Sequence, residues 1–162
     1  MKKRLLVLCS IFTLLDQVVK MIIKNTIAVD VEKNIISGFF YITNVKNTGG
    51  AFSILSNNTI LLAFVGIIAI MFFVAYILKQ EKMSFFETFL YSMLIGGIVG
   101  NFIDRIIYRY VIDYLGFIIV NYNFPIFNFA DICIVLSVIG LVIYSLKEDI
   151  CKNSKSKKKL EE

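Results

Sequence analysis

Residues 59–78 read TILLAFVGIIAIMFFVAYIL, which is twenty positions without a charged side chain. A transmembrane helix needs roughly 20 consecutive apolar residues, so this segment is long enough to cross a membrane. Three further apolar runs of similar length occur at about residues 5–23, 85–103 and 129–146. The pattern predicts an all-α membrane protein with four transmembrane helices.

The composition agrees with this prediction. The chain has 162 residues, of which 58% are hydrophobic and 18% charged, and its mean hydropathy is +0.79. Soluble domains usually carry about 25% charged residues. Four spans leave little chain for a soluble domain. We therefore predict a single membrane-embedded domain over residues 1–149 and a basic cytoplasmic tail over residues 150–162.

The chain contains no histidine and three widely spaced cysteines. Without histidine, the Ser-His-Asp and Cys-His arrangements and the histidine-containing zinc sites are excluded. The cysteines show no CxxC spacing and are interpreted as small apolar side chains. Acid–base chemistry would depend on carboxylates, lysine or tyrosine, and we expect neither a cofactor nor a metal site.

Lysine and arginine predict the orientation in the membrane. Eleven lie in the N-terminal segment, the loop after residue 78 and the last sixteen residues, whereas five lie in the other two loops. The positive-inside rule places both termini in the cytoplasm and the loops 24–58 and 104–128 outside. The basic tail is interpreted as an anchor facing anionic lipid, and not as a nucleic-acid site. The N-terminal run could resemble a secretory signal, but it continues through Asp16 and Lys20, so we interpret it as a retained helix.

The two long loops differ in composition. Residues 36–55 mix β-branched and aromatic residues with Asn, Thr and Gly, which predicts a small extracytoplasmic β-rich loop. Residues 104–128 are too apolar for free solution. We expect them to form an extracytoplasmic segment that lies on the membrane surface or packs on the spans.

Ionisable residues inside membrane spans are costly and are retained for pairing or function. Asp16 and Lys20 are four apart, in the order that favours an ion pair on one helical face. They are interpreted as a structural pair that orients the first helix, with a direct role near a reaction centre as the alternative.

A second polar group stands at the end of the third span. Asn101, Asp104 and Arg105 share one helical face, and the spacing of Gly96 and Gly100 allows another helix to approach closely. One interpretation is helix packing with a snorkelling Arg–Asp pair. The preferred one is a polar cluster that holds a substrate backbone and stabilises nearby carboxylates.

Asp113 and Asp131 are the strongest candidates for chemistry. Each has a structural interpretation, as a loop acid near the headgroups and as an acid at a helix N-terminus. If they meet, two close acids tend to share one proton. One could then activate water toward a peptide carbonyl while the other polarises that carbonyl and protonates the leaving amine.

Five motifs occur in order along about 115 residues of the chain. They are Asp16-Gln17-x-x-Lys20, Asn47-x-Gly49-x-Ala51-Phe52, Gly96-Gly97-x-x-Gly100-Asn101-x-x-Asp104-Arg105, Val111-x-Asp113 and Phe127-Asn128-x-Ala130-Asp131. Together with four spans, they resemble the lipoprotein signal peptidase (signal peptidase II) family. Gly50 stands where that family usually has Ala, and Tyr114 where Phe is common.

The resemblance implies an aspartic endopeptidase of the bacterial cytoplasmic membrane, with its active site near the outer face, and we expect this enzyme to be a monomer. Its substrates would be diacylglyceryl-modified prolipoproteins, cut just before the lipidated cysteine, and membrane lipids would be its other partners. Asp113 and Asp131 would be catalytic. The implied substrate-binding residues are Asn47, Gly49, Asn101, Arg105 and Asn128, and the implied structural support comes from Asp16, Lys20, Asp104 and Ala130.

Two other functions remain open at this stage. A small transporter or proton-conducting protein would also carry acids within its spans, although usually near the midplane and in repeated halves. A non-enzymatic assembly factor would hold lipoproteins without cutting them.

Overall fold

Four long helices form the membrane part of the protein. The computed structural model describes residues 2–50, 55 and 57–158, and for residue 149 and residues 151–158 it describes the backbone alone. The helices are α1 (Lys2–Thr26), α2 (Thr59–Lys79), α3 (Phe85–Tyr108) and α4 (Phe129–Lys158). Each contains one predicted span and is long and apolar enough to cross a membrane. The four-span prediction is therefore confirmed, and α4 continues into the segment predicted as a tail.

The third helix occupies the centre of the bundle. It packs against α1, α2 and α4 and is far more buried than they are. It begins with a capping box in which Ser84 and Glu87 bond each other's backbone, and it ends at Arg109, whose φ of 66° turns the chain sharply. The other helices expose large apolar side chains such as Leu14, Phe64 and Leu136. These exposed faces suit contact with lipid.

Polar side chains of α1 bond the backbone of α3. Thr13 Oγ1 donates to the Gly96 carbonyl (3.1 Å), and Gln17 Nε2 donates to the Gly100 carbonyl (3.1 Å). A Cβ atom at Gly100 would collide with the Asp16 carboxylate, so only glycine fits there. The two glycines therefore permit the close helix approach that their spacing predicts.

A four-stranded antiparallel sheet lies at the end of the bundle where α1 and α3 end and α2 and α4 begin. Its strands are β1 (Lys33–Ile36), β2 (Phe40–Asn47), β3 (Val111–Ile119) and β4 (Tyr122–Asn123), and they pair in that order. Val45 lies opposite Asp113, and Asn47 opposite Val111. The pairing places the end of β2 beside the start of β3.

The β3–β4 hairpin brings the chain back toward Asp113. Its two-residue turn is Val120-Asn121, both with positive φ, as in the tight turns that suit hairpins. After β4 the chain returns to β3, where the Leu115 N–H donates to the Phe127 carbonyl (2.8 Å). This bridge places Asn128 and the start of α4 beside the first residues of β3.

The predicted fold class needs one correction. The first long loop supplies β1 and β2, as its composition predicts, but the second supplies β3 and β4, so the protein is not all-α. Ile112 and Tyr114 are buried in a cluster with Ile23 of α1 and Ile27, which follows the end of that helix. The apolar character of residues 111–119 therefore reflects a strand packed on the first helix, so of the two expectations for residues 104–128 the packing on the spans is confirmed.

Candidate active site

Asn128 and Asp131 together form the cap of α4. The Asp131 N–H donates to Asn128 Oδ1 (3.0 Å), and the Asn128 N–H donates to Asp131 Oδ2 (3.2 Å). This reciprocal pair is a capping box with an acid at the third helical position. The predicted position of Asp131 at a helix N-terminus is confirmed, and its side chain is held by the helix start itself.

The same Asn128 side chain reaches the second aspartate. Its Nδ2 donates to Asp113 Oδ1 (2.6 Å), while Asn47 Nδ2 donates to Asp113 Oδ2 (2.7 Å). Asp113 is 2% exposed. One asparagine therefore contacts both predicted aspartates, which the β3–β4 hairpin has brought together across eighteen residues.

Both aspartates border one large cavity of about 920 Å³. Its walls also include Leu62 and Gly66 of α2, Phe102 of α3 and Val135 of α4. Most of the lining is apolar, and the polar groups gather at the end near the sheet. A largely apolar cavity with a few convergent polar groups is the usual form of a binding site.

The environment of Asp113 favours its protonated form. Burial and, second, the nearby Asp131 carboxylate raise the pKa of Asp113 from 3.8 to about 7, against the opposite effect of the two amide donors. Below about pH 7 the environment therefore favours a proton on Asp113, and a pair of acids that retains one proton is the state that shared-proton carboxylate chemistry requires.

Arg105 and Asn101 complete the polar end of the cavity. Asn101 Nδ2 donates to Asp131 Oδ1 (2.8 Å), and Arg105 Nη2 donates to the Gly49 carbonyl (3.0 Å). Arg105 Nε is buried without a hydrogen-bond partner among the described residues. The alternative interpretation, a snorkelling pair of Arg105 with Asp104, is wrong, because Asp104 pairs with Lys20 instead.

Lys20 is the centre of a buried ion triad beneath the aspartates. Its Nζ lies 2.8 Å from Asp16 Oδ2 and 2.9 Å from Asp104 Oδ2, which confirms the predicted pair and adds a third member. The acids also accept backbone N–H groups, Asp16 from Ala130 (3.0 Å) and Asp104 from Ile112 (3.2 Å). The triad thus joins α1, α3, β3 and the start of α4.

The turn after β2 begins with a side-chain bond. Asn47 Oδ1 accepts from the Gly49 N–H (2.8 Å). Because Asn47 also donates to Asp113, the turn is tied to the aspartate pair. Ala51 and Phe52, which belong to the same sequence motif, lie outside the described residues.

Sequence reasoning assigned no role to two residues that support the site. Gln17 Nε2 donates to Asp104 Oδ1 (3.0 Å), and the Tyr114 hydroxyl accepts from the Phe129 N–H (3.1 Å) in the first turn of α4. Gln17 could have been found as a polar residue inside a membrane span. The contact of Tyr114 with Phe129 could not be found from the sequence, because the β3–β4 hairpin brings the two residues together.

Fold and site together define a polytopic membrane protein with two aspartates at the polar end of an apolar cavity. The family model for signal peptidase (SPase) II matches residues 8–147. A lipoprotein signal peptidase of Staphylococcus aureus (strain JH9) is 35% identical over 153 residues, 94% of each chain. The chain belongs to the signal peptidase II family, and it is an aspartic endopeptidase.

Two solved structures share this fold. One is a bacterial membrane enzyme determined by the in meso method at 2.3 Å resolution, with a TM-score of 0.82 and 32% identity over 90% of this chain and 88% of that one. The other, determined by the same method at 1.9 Å, has a TM-score of 0.78 and 33% identity over 88% and 92%. Membership of a peptidase family decides against the transporter and assembly-factor alternatives.

Proposed function

We propose that this peptidase removes the signal peptide from diacylglyceryl-modified prolipoproteins, cutting just before the lipidated cysteine, with Asp113 and Asp131 as its catalytic pair. The observation that carries the proposal is the position of both carboxylates on either side of Asn128, at the polar end of a large apolar cavity. Two aspartates in such a position suffice for peptide hydrolysis.

The chemistry follows from one proton shared by two acids. The ionised carboxylate removes a proton from a water molecule, whose oxygen attacks the scissile carbonyl carbon. The protonated carboxyl donates a hydrogen bond to the carbonyl oxygen as negative charge develops there. Collapse of the tetrahedral intermediate breaks the C–N bond, and the amine leaves with a proton from the pair.

The cavity suits a substrate that is itself lipid-like. Its apolar walls on α2, α3 and α4 match acyl chains and an apolar signal helix, and the polar end matches a peptide backbone. We assign backbone binding to the groups around the pair. They are Asn47, Gly49, Asn101, Arg105 and Asn128, of which Arg105 offers its unpartnered Nε as a donor.

The proposed location is the bacterial cytoplasmic membrane, with both termini in the cytoplasm and the aspartates near the outer face. The excess of Lys and Arg in the N-terminal segment, the 79–84 loop and the tail supports this orientation. We take the enzyme to be a monomer built as one domain over residues 1–149, with residues 150–162 as a basic cytoplasmic tail.

Replacing either aspartate tests the proposal. We expect Asp113→Asn and Asp131→Asn to abolish cleavage of a purified diacylated precursor, because neither variant retains a pair that shares one proton. Asp30→Asn is the matched control, since Asp30 is exposed, is not among the described residues that line the cavity, and has a positive φ that asparagine also adopts. Full activity in either of the first two variants would exclude this pair.

A further inference from the structure

The ammonium group of Lys20 is fully engaged by three acceptors. Its Nζ lies 2.8 Å from Asp16 Oδ2 and 2.9 Å from Asp104 Oδ2, and it donates to Asn101 Oδ1 at 2.7 Å. A lysine ammonium has three N–H donors, so none is left over. Lys20 is 1% exposed. A desolvated cation with fixed partners acts strongly on the groups that it touches.

The third acceptor connects the lysine to the aspartate pair. Asn101 accepts from Lys20 through Oδ1 and donates through Nδ2 to Asp131 Oδ1 at 2.8 Å. The opposite orientation of this amide would set its NH₂ group against the ammonium and its oxygen against the carboxylate. Lys20 therefore fixes Asn101 as a donor toward Asp131, and it also polarises that amide.

Among the described residues, the two amides that reach Asp113 accept from backbone N–H groups and not from a cation, and Lys20 acts on Asp113 only through space. Asn47 Oδ1 accepts from the Gly49 backbone N–H, and Asn128 Oδ1 accepts from the Asp131 backbone N–H. Neutral donors polarise an amide less than an ammonium does. The two carboxylates therefore have similar numbers of donors but donors of different strength.

Charged groups on the other elements act on the pair as well. Arg105 of α3 lies close to both aspartates, so it favours charge on each of them. Asp16 and Asp104 oppose charge on Asp131, but each is bonded to Lys20 and to a backbone N–H. Asp131 also lies in the first turn of α4, where the helix N-terminus favours a negative charge.

We propose that Lys20 is a positioning residue which, through the Asn101 amide, makes Asp131 the ionised member of the pair and leaves the proton on Asp113. This inference rests on the proposed function and adds an order to it. Asp131 is then the base that accepts the proton of the attacking water, and Asp113 is the acid that polarises the carbonyl. The burial of Asp113, with its pKa raised to about 7, agrees with this order.

The test measures kcat/KM against pH for two variants. The low-pH side of this profile, the acid limb, reports the ionisation of Asp131. In Lys20→Met it should move to higher pH by about one pH unit, because the Asn101 amide that donates to Asp131 is no longer polarised by a cation. That variant leaves two buried carboxylates without a partner and could fail to fold. The second variant, Lys20→Met with Asp16→Asn and Asp104→Asn, keeps the shape of the triad and carries no charge there.

The neutral triad separates the local effect of Lys20 from the overall charge. The native triad has a net charge of −1, so its removal would ease ionisation of Asp131 if long-range charge dominated, and the acid limb would move to lower pH. The proposal requires the limb to move to higher pH. Lys24→Met is the matched control, because Lys24 lies one turn later on α1 against the Tyr108 ring and should leave the limb in place.

Failure of the inference about Lys20 and failure of the proposed function would give different results. If the neutral-triad variant folds, cleaves and keeps its acid limb, or moves it to lower pH, the role of Lys20 is overturned while the aspartate pair stands. If Asp113→Asn or Asp131→Asn retains full activity, the proposed function itself fails. Lowered activity with an unmoved limb would mean that Lys20 is only structural.

Discussion

Asn128 combines three functions in one side chain and its backbone. Its Oδ1 and N–H cap α4 through Asp131, and its Nδ2 bonds Asp113. A carboxylate or a hydroxyl could cap the helix, but neither has the NH₂ group that donates to the second aspartate. The residue type is therefore set jointly by helix capping and by the distance between the two acids.

The raised pKa of Asp113 predicts a pH dependence. Because burial and Asp131 favour the protonated form, the pair holds its shared proton up to about pH 7 and loses it above that value. We expect kcat/KM for a diacylated precursor to fall as the pH rises above about 7. Steady-state assays from pH 5 to about 9 measure this, and a rate that stays flat or rises above neutrality would contradict it.

At the scale of elements, α3 organises the bundle. The α1–α3 contact joins polar side chains of α1 to carbonyl groups of α3 at Gly96 and Gly100. Such contacts stabilise helix pairs in membranes, where the hydrophobic effect between helices is weak. The same contact places Asp16 against Gly100 and Lys20 against Asn101, so helix packing determines where the ion triad lies.

Gly100→Ala tests this contact. The added methyl group would collide with Asp16, which is fully buried, so we expect a destabilisation of about 1–3 kcal/mol and a lower midpoint of thermal unfolding in detergent. Gly66→Ala on α2 is the control. Its methyl group would lie 3.8 Å from Ile98, an ordinary contact. Equal midpoints for the two variants would contradict the close approach of α1 to α3.

At the scale of the whole molecule, the sheet and the polar end of the cavity lie at the same end of the bundle. Residues 24–58 and 104–128, which contain the sheet, carry five Lys and Arg, against eleven in the N-terminal segment, residues 79–84 and residues 147–162. Under the positive-inside rule, this difference supports the proposal that the sheet lies on the outer face. A signal helix that enters from the membrane would meet the aspartates at that face.

Cysteine labelling tests this orientation. In a chain whose own cysteines are replaced, Val120→Cys in the β3–β4 turn should react with a membrane-impermeant maleimide on intact bacterial cells. Lys82→Cys, between α2 and α3, should react only after permeabilisation. Both positions are exposed, so the comparison reports the side of the membrane and not burial. The reverse pattern would overturn the proposed topology.

The four spans, the β-rich first loop and the Asp16–Lys20 pair could be predicted from the sequence, because hydropathy and helical spacing are local properties. The strands of residues 111–123 could not, since an apolar run fits a strand, a surface segment or a packed helix equally well. The ion-pair partner of Asp104 could not be predicted either. Arg105 is its neighbour in sequence, but its actual partner Lys20 lies across the α1–α3 contact.

The sequence by itself determined which residues are polar inside an apolar chain, and hence where chemistry is possible. Only the tertiary structure decided that Asp113 and Asp131 meet. Their approach depends on a hairpin turn, on the bridge between Leu115 and Phe127 and on the cap of α4. These are contacts between distant parts of the chain, whose geometry is fixed by packing and not by any local pattern.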